Sequence, residues 1–325
     1  MDIKRKKSRI GRGLPVGAEL VLTIAFDVIF LAALLNVFAL FHHVIPRKKV
    51  AVGTEIVRPA DTFTTDENGM WGNKFADKFL EKGEVVRTAD SYRSHDVYVT
   101  VTKEQRSGAV YFVADIYIRN IDNFRTAFAQ DEYGKSISES VVAMAKRNQA
   151  IIATNGDYYG IRDHGVCIKN GVVYRTEPFA DVCALYYDGT LRTFKRRDFS
   201  MSDAVRDGVY QAWSFGPELL HNGETVSEFS WSIQSENPRC AIGYYEPGHY
   251  CLVVIDGRKK GYSEGMTFQE MSKMFYEMGC RAAYNMDGGQ SAQMVFLGAL
   301  VNRPAAGGRD TSDIIYIGET DTVSE

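Results

Sequence analysis

Four turn signals, Asn170-Gly171, Asp188-Gly189, Asn222-Gly223 and Pro247-Gly248, separate short runs rich in apolar and β-branched residues. Asn-Gly and Asp-Gly suit two-residue hairpin loops because both central positions tolerate a positive φ. The first joins VCIK to VVYR, and the second joins CALYY to LRTF. A chain folded as consecutive hairpins must build an antiparallel sheet, since parallel neighbours need long crossovers. His95–Val101 and Val110–Ile118 read as two more strands, parted by the turn Arg106-Ser107-Gly108. Ile151–Thr154, Ala292–Phe296 and Asp313–Ile317 read as further short strands. Helices are few. Ser138–Asn148 carries Val141, Val142 and Ala145 on one face, and Thr267–Met278 opens with Thr267 and Glu270 as a capping box. No period of 20–50 residues recurs, which excludes solenoids and propellers. The expected class is α+β: a largely antiparallel sheet with a few packed helices, preceded by one transmembrane helix.

That last element comes from Ala18–Phe41, AELVLTIAFDVIFLAALLNVFALF, in which only Glu19 and Asp27 are charged. At about 1.5 Å per residue this run matches a hydrocarbon core of roughly 30 Å. It is longer than a signal-peptide core and has no small-x-small cleavage motif after it, so an uncleaved anchor is expected. Six basic residues precede it, and Arg47, Lys48 and Lys49 follow. The positive-inside rule places the N-terminus in the cytoplasm and the main domain outside, a single pass through the cell membrane. The expected organisation is a basic tail at 1–17, the span at 18–41, a linker with an accessory helix at 42–90, and a folded domain at 91–320. Trp71, Phe75, Phe79 and Leu80 recur at helical spacing and mark the accessory helix.

Charge is divided along the chain. Residues 1–49 hold nine Lys or Arg against three acidic residues, which leaves 29 basic against 38 acidic for the rest. An acidic body argues against nucleic acid as a partner, because phosphates need a basic surface. The five cysteines (Cys167, Cys183, Cys240, Cys251, Cys280) follow no CxxC spacing and sit mostly in apolar runs, so buried thiols are expected rather than a disulfide framework.

Five polar clusters fall at strand ends: Asn155-Gly156-Asp157-Tyr158-Tyr159, Asn237-Pro238-Arg239, Asp256-Gly257-Arg258, Asn285-Met286-Asp287-Gly288-Gly289-Gln290-Ser291, and Gly308-Arg309-Asp310-Thr311-Ser312-Asp313. Glycine pairs let backbone turn sharply or approach a ligand. Arg239, Arg258 and Arg309 offer planar forks for a phosphate, and Asp157, Asp256 and Asp287 offer carboxylates for work at a sugar carbon. Of the histidines, only His164 lies beside a candidate loop. No GxSxG, HExxH, P-loop or GxGxxG context is present.

Taken in order, NGDYYG, NPRCAIGY, IDGR, GMTFQEMSKMFYEMGCRAAYNMDGGQSAQMV and NRP…GRDTSDIIYI resemble the phosphodiester glycosidase family over roughly residues 91–320. The resemblance implies hydrolysis between a sugar's anomeric carbon and a phosphodiester, with a substrate like an N-acetylglucosamine-1-phosphodiester. Three positions depart from the family pattern. Asp157 stands where a second glycine is usual, Cys240 replaces a threonine, and Gln290 replaces a glycine within the DGG-Ser core. On this resemblance Asp287 is the carboxylate at the anomeric carbon, and Asp157 or Asp256 is the second carboxylate. Arg239 and Arg258 would bind the phosphate with Arg309 in support. Asn155, Asn285 and Ser291 would bind sugar hydroxyls, Gly288 and Gly289 would let the ligand approach, and Tyr158 and Tyr159 would stack on the ring. The topology places such a substrate among cell-envelope glycans or exopolysaccharides.

Two other readings use the same residues. Asp157, Asp256 and Asp287 form an oxygen-only set suited to Ca²⁺ or Mg²⁺, as in a metal-dependent phosphodiesterase. A noncatalytic module that binds envelope glycan would keep the loops without turnover. No cofactor is required by the glycosidase reading.

Overall fold

The computed structural model describes residues 16–39, 53–62, 68–230 and 233–320, with side chains of the first helix described for 24–36. The chain divides into two units, residues 1–50 and 51–325.

The first unit contains one helix, Val16–Ala39, at the expected place. Its side chains from 24 to 36 are exposed, including Phe26, Leu31 and Leu35. Among the described residues, no helix is long and apolar enough to cross a membrane. The basic tail and Arg47–Lys49 lie outside the described residues.

Three sheets make up the second unit among the described residues, with six, nine and five strands. Every strand pairing in them is antiparallel. The mostly antiparallel α+β class is therefore as expected. In the nine-stranded sheet, Ala282–Asn285, Arg239–Glu246, His249–Ile255, Ala109–Ile118 and Val97–Arg106 lie side by side. Ala109–Ile118 shows why: alternate residues are buried along AVYFVADIYI, so one face meets the core and the other is wetter. The five-stranded sheet places Asp313–Ile317 between Ile152–Asn155 and Phe124–Phe128.

The hairpins form where the turn signals stand. Asn170-Gly171 and Asn222-Gly223 each have two consecutive positive φ angles, the mirror-image turn whose twist matches paired strands. The helix Phe268–Glu277 starts at Thr267 with both hydrogen bonds of the capping box in place. Its Phe268, Met271, Met274 and Phe275 pack with Ala241, Cys251 and Val253 of the nine-stranded sheet. The helix Val141–Arg147 is capped by Ser140 and buries Val141, Met144 and Ala145.

The accessory helix is a correction. Residues 68–78 form a succession of turns, with Phe75 N donating to Trp71 O and Lys78 N to Phe75 O. Gly69 adopts φ +64° and Gly72 follows three residues later, so regular helix is costly there. The spacing was still informative about burial. Trp71, Phe75 and Phe79 enter the main core, and Leu80 is half-buried. All five cysteines are buried and free.

Candidate active site

Antiparallel pairing draws the five polar clusters together. The strand Ile152–Asn155 ends beside the start of Asp313–Ile317, where Gly156 N donates to Asp313 O at 3.0 Å. Ala282–Asn285 pairs with Arg239–Glu246, and Met286 N continues that pairing to Cys240 O at 2.8 Å. Arg239 pairs in turn with Ile255, which brings Asp256 to the same edge. Cross-links complete the convergence. Asn155 Nδ2 donates to Asp287 O at 2.7 Å, and Gly289 N donates to Pro238 O at 2.9 Å.

At the centre stands Asp287, only 6% exposed. Arg309 Nη2 donates to its Oδ2 at 2.9 Å, and Arg309 Nε donates to Ser291 Oγ at 2.5 Å. The Arg309 guanidinium also lies 4.6 Å from the centre of the Tyr158 ring. Burial pushes the Asp287 carboxyl up, opposed by its hydrogen bond with Ser291 and by the charges of Arg309 and Arg162. The result is a desolvated carboxylate held by one fork and one hydroxyl, beside a half-exposed aromatic ring and two glycines. Gly288 has no substitute: a Cβ there would sit 2.6 Å from Pro238 O. Gly289 has φ +64°.

Behind this group lies a second, buried one. Asp157 and Asp313 are each nearly inaccessible, and Lys169 Nζ sits 2.8 Å from Asp313 Oδ2 and 4.0 Å from Asp157 Oδ1. Asp157 Oδ2 accepts from Ser214 N at 3.3 Å, while Oδ1 has no hydrogen-bond partner among the described residues. Burial raises the Asp313 carboxyl to about 6, with Lys169 pulling it down and Asp157 pushing it further up. Burial lowers the Lys169 ammonium, yet Asp313 and Asp157 outweigh it and leave the group raised. Gly156 must remain bare, since a Cβ would run into the Asp313 carboxylate. Gly156→Ala is therefore expected to cost about 1–3 kcal/mol, measured by urea unfolding.

The other expected site residues have clear places. Asp256 is saturated: its carboxylate accepts from Asn302 Nδ2 at 2.8 Å, Arg303 N at 3.0 Å and Tyr262 OH at 2.9 Å. It pins the loop that leads toward Arg309. Asp256→Asn should destabilise by about 1–3 kcal/mol in the same unfolding assay, because an amide presents a donor where donors already point. Arg239 is also committed inward. It donates to Met266 O, Ile233 O and Ser235 O, and stacks 4.0 Å over Phe268. Burial and the neighbouring Arg258 lower its guanidinium to about 10. Arg258 is exposed, with φ +58°, and its Nε and Nη2 donate to Asn237 Oδ1. Its guanidinium borders Gly289. Asn285 Nδ2 donates to Gly216 O, and its Oδ1 is buried without a partner among the described residues. Tyr159 is buried under Tyr133, so of the two tyrosines only Tyr158 reaches the open side. Cys240 is buried in its strand, and burial pushes its thiol up to about 12.

Arg162 and Lys169 were not singled out from sequence, and Asp313 stood only as the last residue of the fifth cluster, with no role assigned. Arg162 donates to Asp157 O and Ser214 O and lies 4.5 Å over Phe179. Lys169 carried a readable signal, as a cation closing an apolar strand that has a hairpin turn directly after it. Among the described residues, no group of three or more His, Cys, Asp or Glu is placed to hold a metal. Asp157, Asp256 and Asp287 each go to different partners.

An antiparallel α+β body with a buried carboxylate and its arginine clamp at the meeting of five strand-end loops defines the class of protein. The chain belongs to the phosphodiester glycosidase family, whose model matches residues 148–318, just over half of it. It is 25% identical over 280 residues to the SPbeta prophage-derived uncharacterized protein YomE of Bacillus subtilis strain 168. That match covers 77% of this chain but 43% of YomE, so the chain spans less than half the length of that relative. The fold is similar to that of the zebrafish N-acetylglucosamine-1-phosphodiester α-N-acetylglucosaminidase catalytic domain, solved in a form auto-inhibited by its pro-peptide. The TM-score is 0.55 and the identity 19%, over 69% of this chain and 83% of the zebrafish one.

Proposed function

We propose that this protein is a hydrolase that cleaves the bond between an anomeric carbon and a phosphodiester, with an N-acetylglucosamine-1-phosphodiester as the model substrate. Membership of the family supports the reaction class. The single observation that carries the assignment is the Asp287–Arg309–Ser291 cluster, a buried carboxylate in contact with a cationic fork at the converged glycine loops. The leaving group is a phosphate, far less basic than a sugar alkoxide, so neutralising its charge matters more than protonating it. Asp287 acts at the anomeric carbon, as nucleophile or as the base for water. Arg309 faces both that carboxylate and the phosphate, Arg258 adds charge from the rim beside Gly289, and Tyr158 offers its face to the sugar. Asp157 supports the site from below through Arg162. In the net step water adds to the anomeric carbon, the carbon–oxygen bond to phosphate breaks, and free sugar and a phosphomonoester leave.

The setting is part of the same proposal. The apolar run 18–41 with basic residues on both sides supports a membrane-held chain whose main domain faces an extracytoplasmic glycan. The decisive assay measures free reducing sugar and phosphomonoester separately, using an α-linked N-acetylglucosamine-1-phosphate diester. Equal release of both supports the reading. Release of intact sugar phosphate would instead identify a phosphodiesterase and overturn it.

A further inference from the structure

Arg162 is a half-buried cation whose hydrogen bonds, among the described residues, go only to carbonyls. Its Nη2 donates to Asp157 O at 2.8 Å and its Nη1 to Ser214 O at 3.3 Å. We propose that Arg162 is a second phosphate-binding fork, which works with Arg309 on the phosphodiester that Asp287 separates from its sugar. The inference rests on the hydrolase reading above and deepens it by naming a further group that recognises the phosphate.

The nearby carboxylates are spent elsewhere. Asp163, the next residue, meets Lys135. Asp157 turns its side chain to Ser214 N and towards Lys169, and gives Arg162 only its backbone oxygen. A guanidinium carries five N–H donors, so the two carbonyls leave Arg162 with donors to spare for an oxyanion. A half-buried charge without a counter-ion is costly, and a bound anion offsets that cost. The side chain is also fixed in place. Its guanidinium carbon lies 4.5 Å from the centre of the Phe179 ring and 5.3 Å from that of Phe215. Ser214 Oγ accepts from Phe179 N and so steadies the first of these rings. Arg175 braces the backbone beneath by donating to Arg162 O and Tyr159 O. A fork already held in one geometry loses little entropy on taking a phosphate.

Its place beside Asp287 follows from the loop 155–158. Asp157 O holds Arg162, and the preceding Gly156 O accepts from Asp287 N at 3.3 Å. Asn155 Nδ2 donates to Gly156 O and to Asp287 O, closing the same turn. Tyr158, in the left-handed region at φ +55°, then brings its ring to 4.6 Å from the Arg309 guanidinium. One loop thus holds Arg162, faces Arg309 and anchors the backbone of Asp287. The charge of Arg162 reaches the Asp287 carboxyl and opposes the upward push of burial there. The phosphate gains negative charge as its oxygen leaves the carbon. A cation beside it therefore stabilises the transition state more than the bound diester.

The test uses the full chain, with inorganic phosphate as the probe in calorimetry. Wild type should bind phosphate, and R162M should weaken its Kd about tenfold or more. R162K keeps the charge without the fork and should fall between the two. It also carries the test if thermal unfolding shows that the methionine variant does not fold. Asp287→Asn should tighten phosphate binding severalfold by removing a like charge beside the anion, an effect that phosphate lodged elsewhere would not feel. With the N-acetylglucosamine-1-phosphodiester, R162M should lower kcat about 10²-fold. No phosphate binding by wild type, or a Kd unchanged in both Arg162 variants, overturns the fork. A Kd indifferent to Asp287→Asn moves the anion away from this site and overturns it equally. Sugar release by R162M at the full rate overturns the fork and leaves the hydrolase reading standing. Phosphate binding that weakens at Arg162, with no sugar release by wild type, supports the fork and overturns the hydrolase reading.

Discussion

Lys169→Met should destabilise the folded protein by about 3–5 kcal/mol near neutral pH, because it leaves two buried carboxylates without their shared cation. The groups around it are Asp313 and Asp157, with Cys167 close by on its own strand and the Trp213 ring 5.0 Å away. The effect should depend on pH in a defined direction. Asp313 has a folded value of about 6, above its unfolded one, so the native state holds an extra proton between about 4 and 6. Stability from this group is thus present at low pH and falls as pH rises through that window. Removing the ammonium takes away the main force lowering the Asp313 value and extends the window upward. Urea unfolding at pH 5 and pH 8 should give a larger loss at pH 8. An equal loss at both would show that the carboxylates gain compensation from elsewhere and would overturn this account.

On the proposed hydrolase reading, Asp287→Asn should reduce sugar release by about 10³-fold or more, the scale expected when a group acting at the reacting carbon is removed. Asparagine keeps the size and can still accept from Arg309, so folding should be nearly unchanged. Thermal unfolding of the variant checks that separation. On the same reading the wild-type protein should lose activity as acid protonates Asp287, and because burial raises this carboxyl, the acid limb should lie above the ordinary aspartate range. Weakening the clamp with Arg309→Met should move that limb higher still, since one of the two cations holding the ionised form is gone. A full-rate Asp287→Asn enzyme would remove this residue from the chemistry and send the search to Asp157.

Much of the scaffold could be read from local chemistry. Asn170-Gly171 and Asn222-Gly223 specify turns by what their own backbones tolerate, and Thr267 with Glu270 specifies a helix start by two short hydrogen bonds. These signals need nothing from distant residues. The stretch containing Trp71, Phe75 and Phe79 shows the limit. Periodicity reported which side chains are buried, but Gly69 and Gly72 decided that the backbone turns instead of coiling. The meeting of five loops was also readable in outline, since each sat at a strand end with glycine and charge together. What sequence did not show was the division of labour among like residues. Asp256 and Arg239 have the same residue types as Asp287 and Arg309, yet one is saturated by a loop and the other by three carbonyls. Arg162 was missed for the same reason, because its position over Phe179 depends on a hairpin folded from residues further along the chain.

The strand Asp313–Ile317 occupies an inner position between two strands made far earlier, Ile152–Asn155 and Phe124–Phe128. Synthesis on a ribosome is vectorial, so those two earlier strands must wait with their facing edges open until residues 313–317 emerge. Closure then depends on contacts of very long sequence separation, the kind that form slowly and leave edges exposed to aggregation. Arg309 arrives in the same late stretch as this strand. A nascent chain stopped before residue 309 carries Asp287 without its clamp, so the site and the sheet mature together.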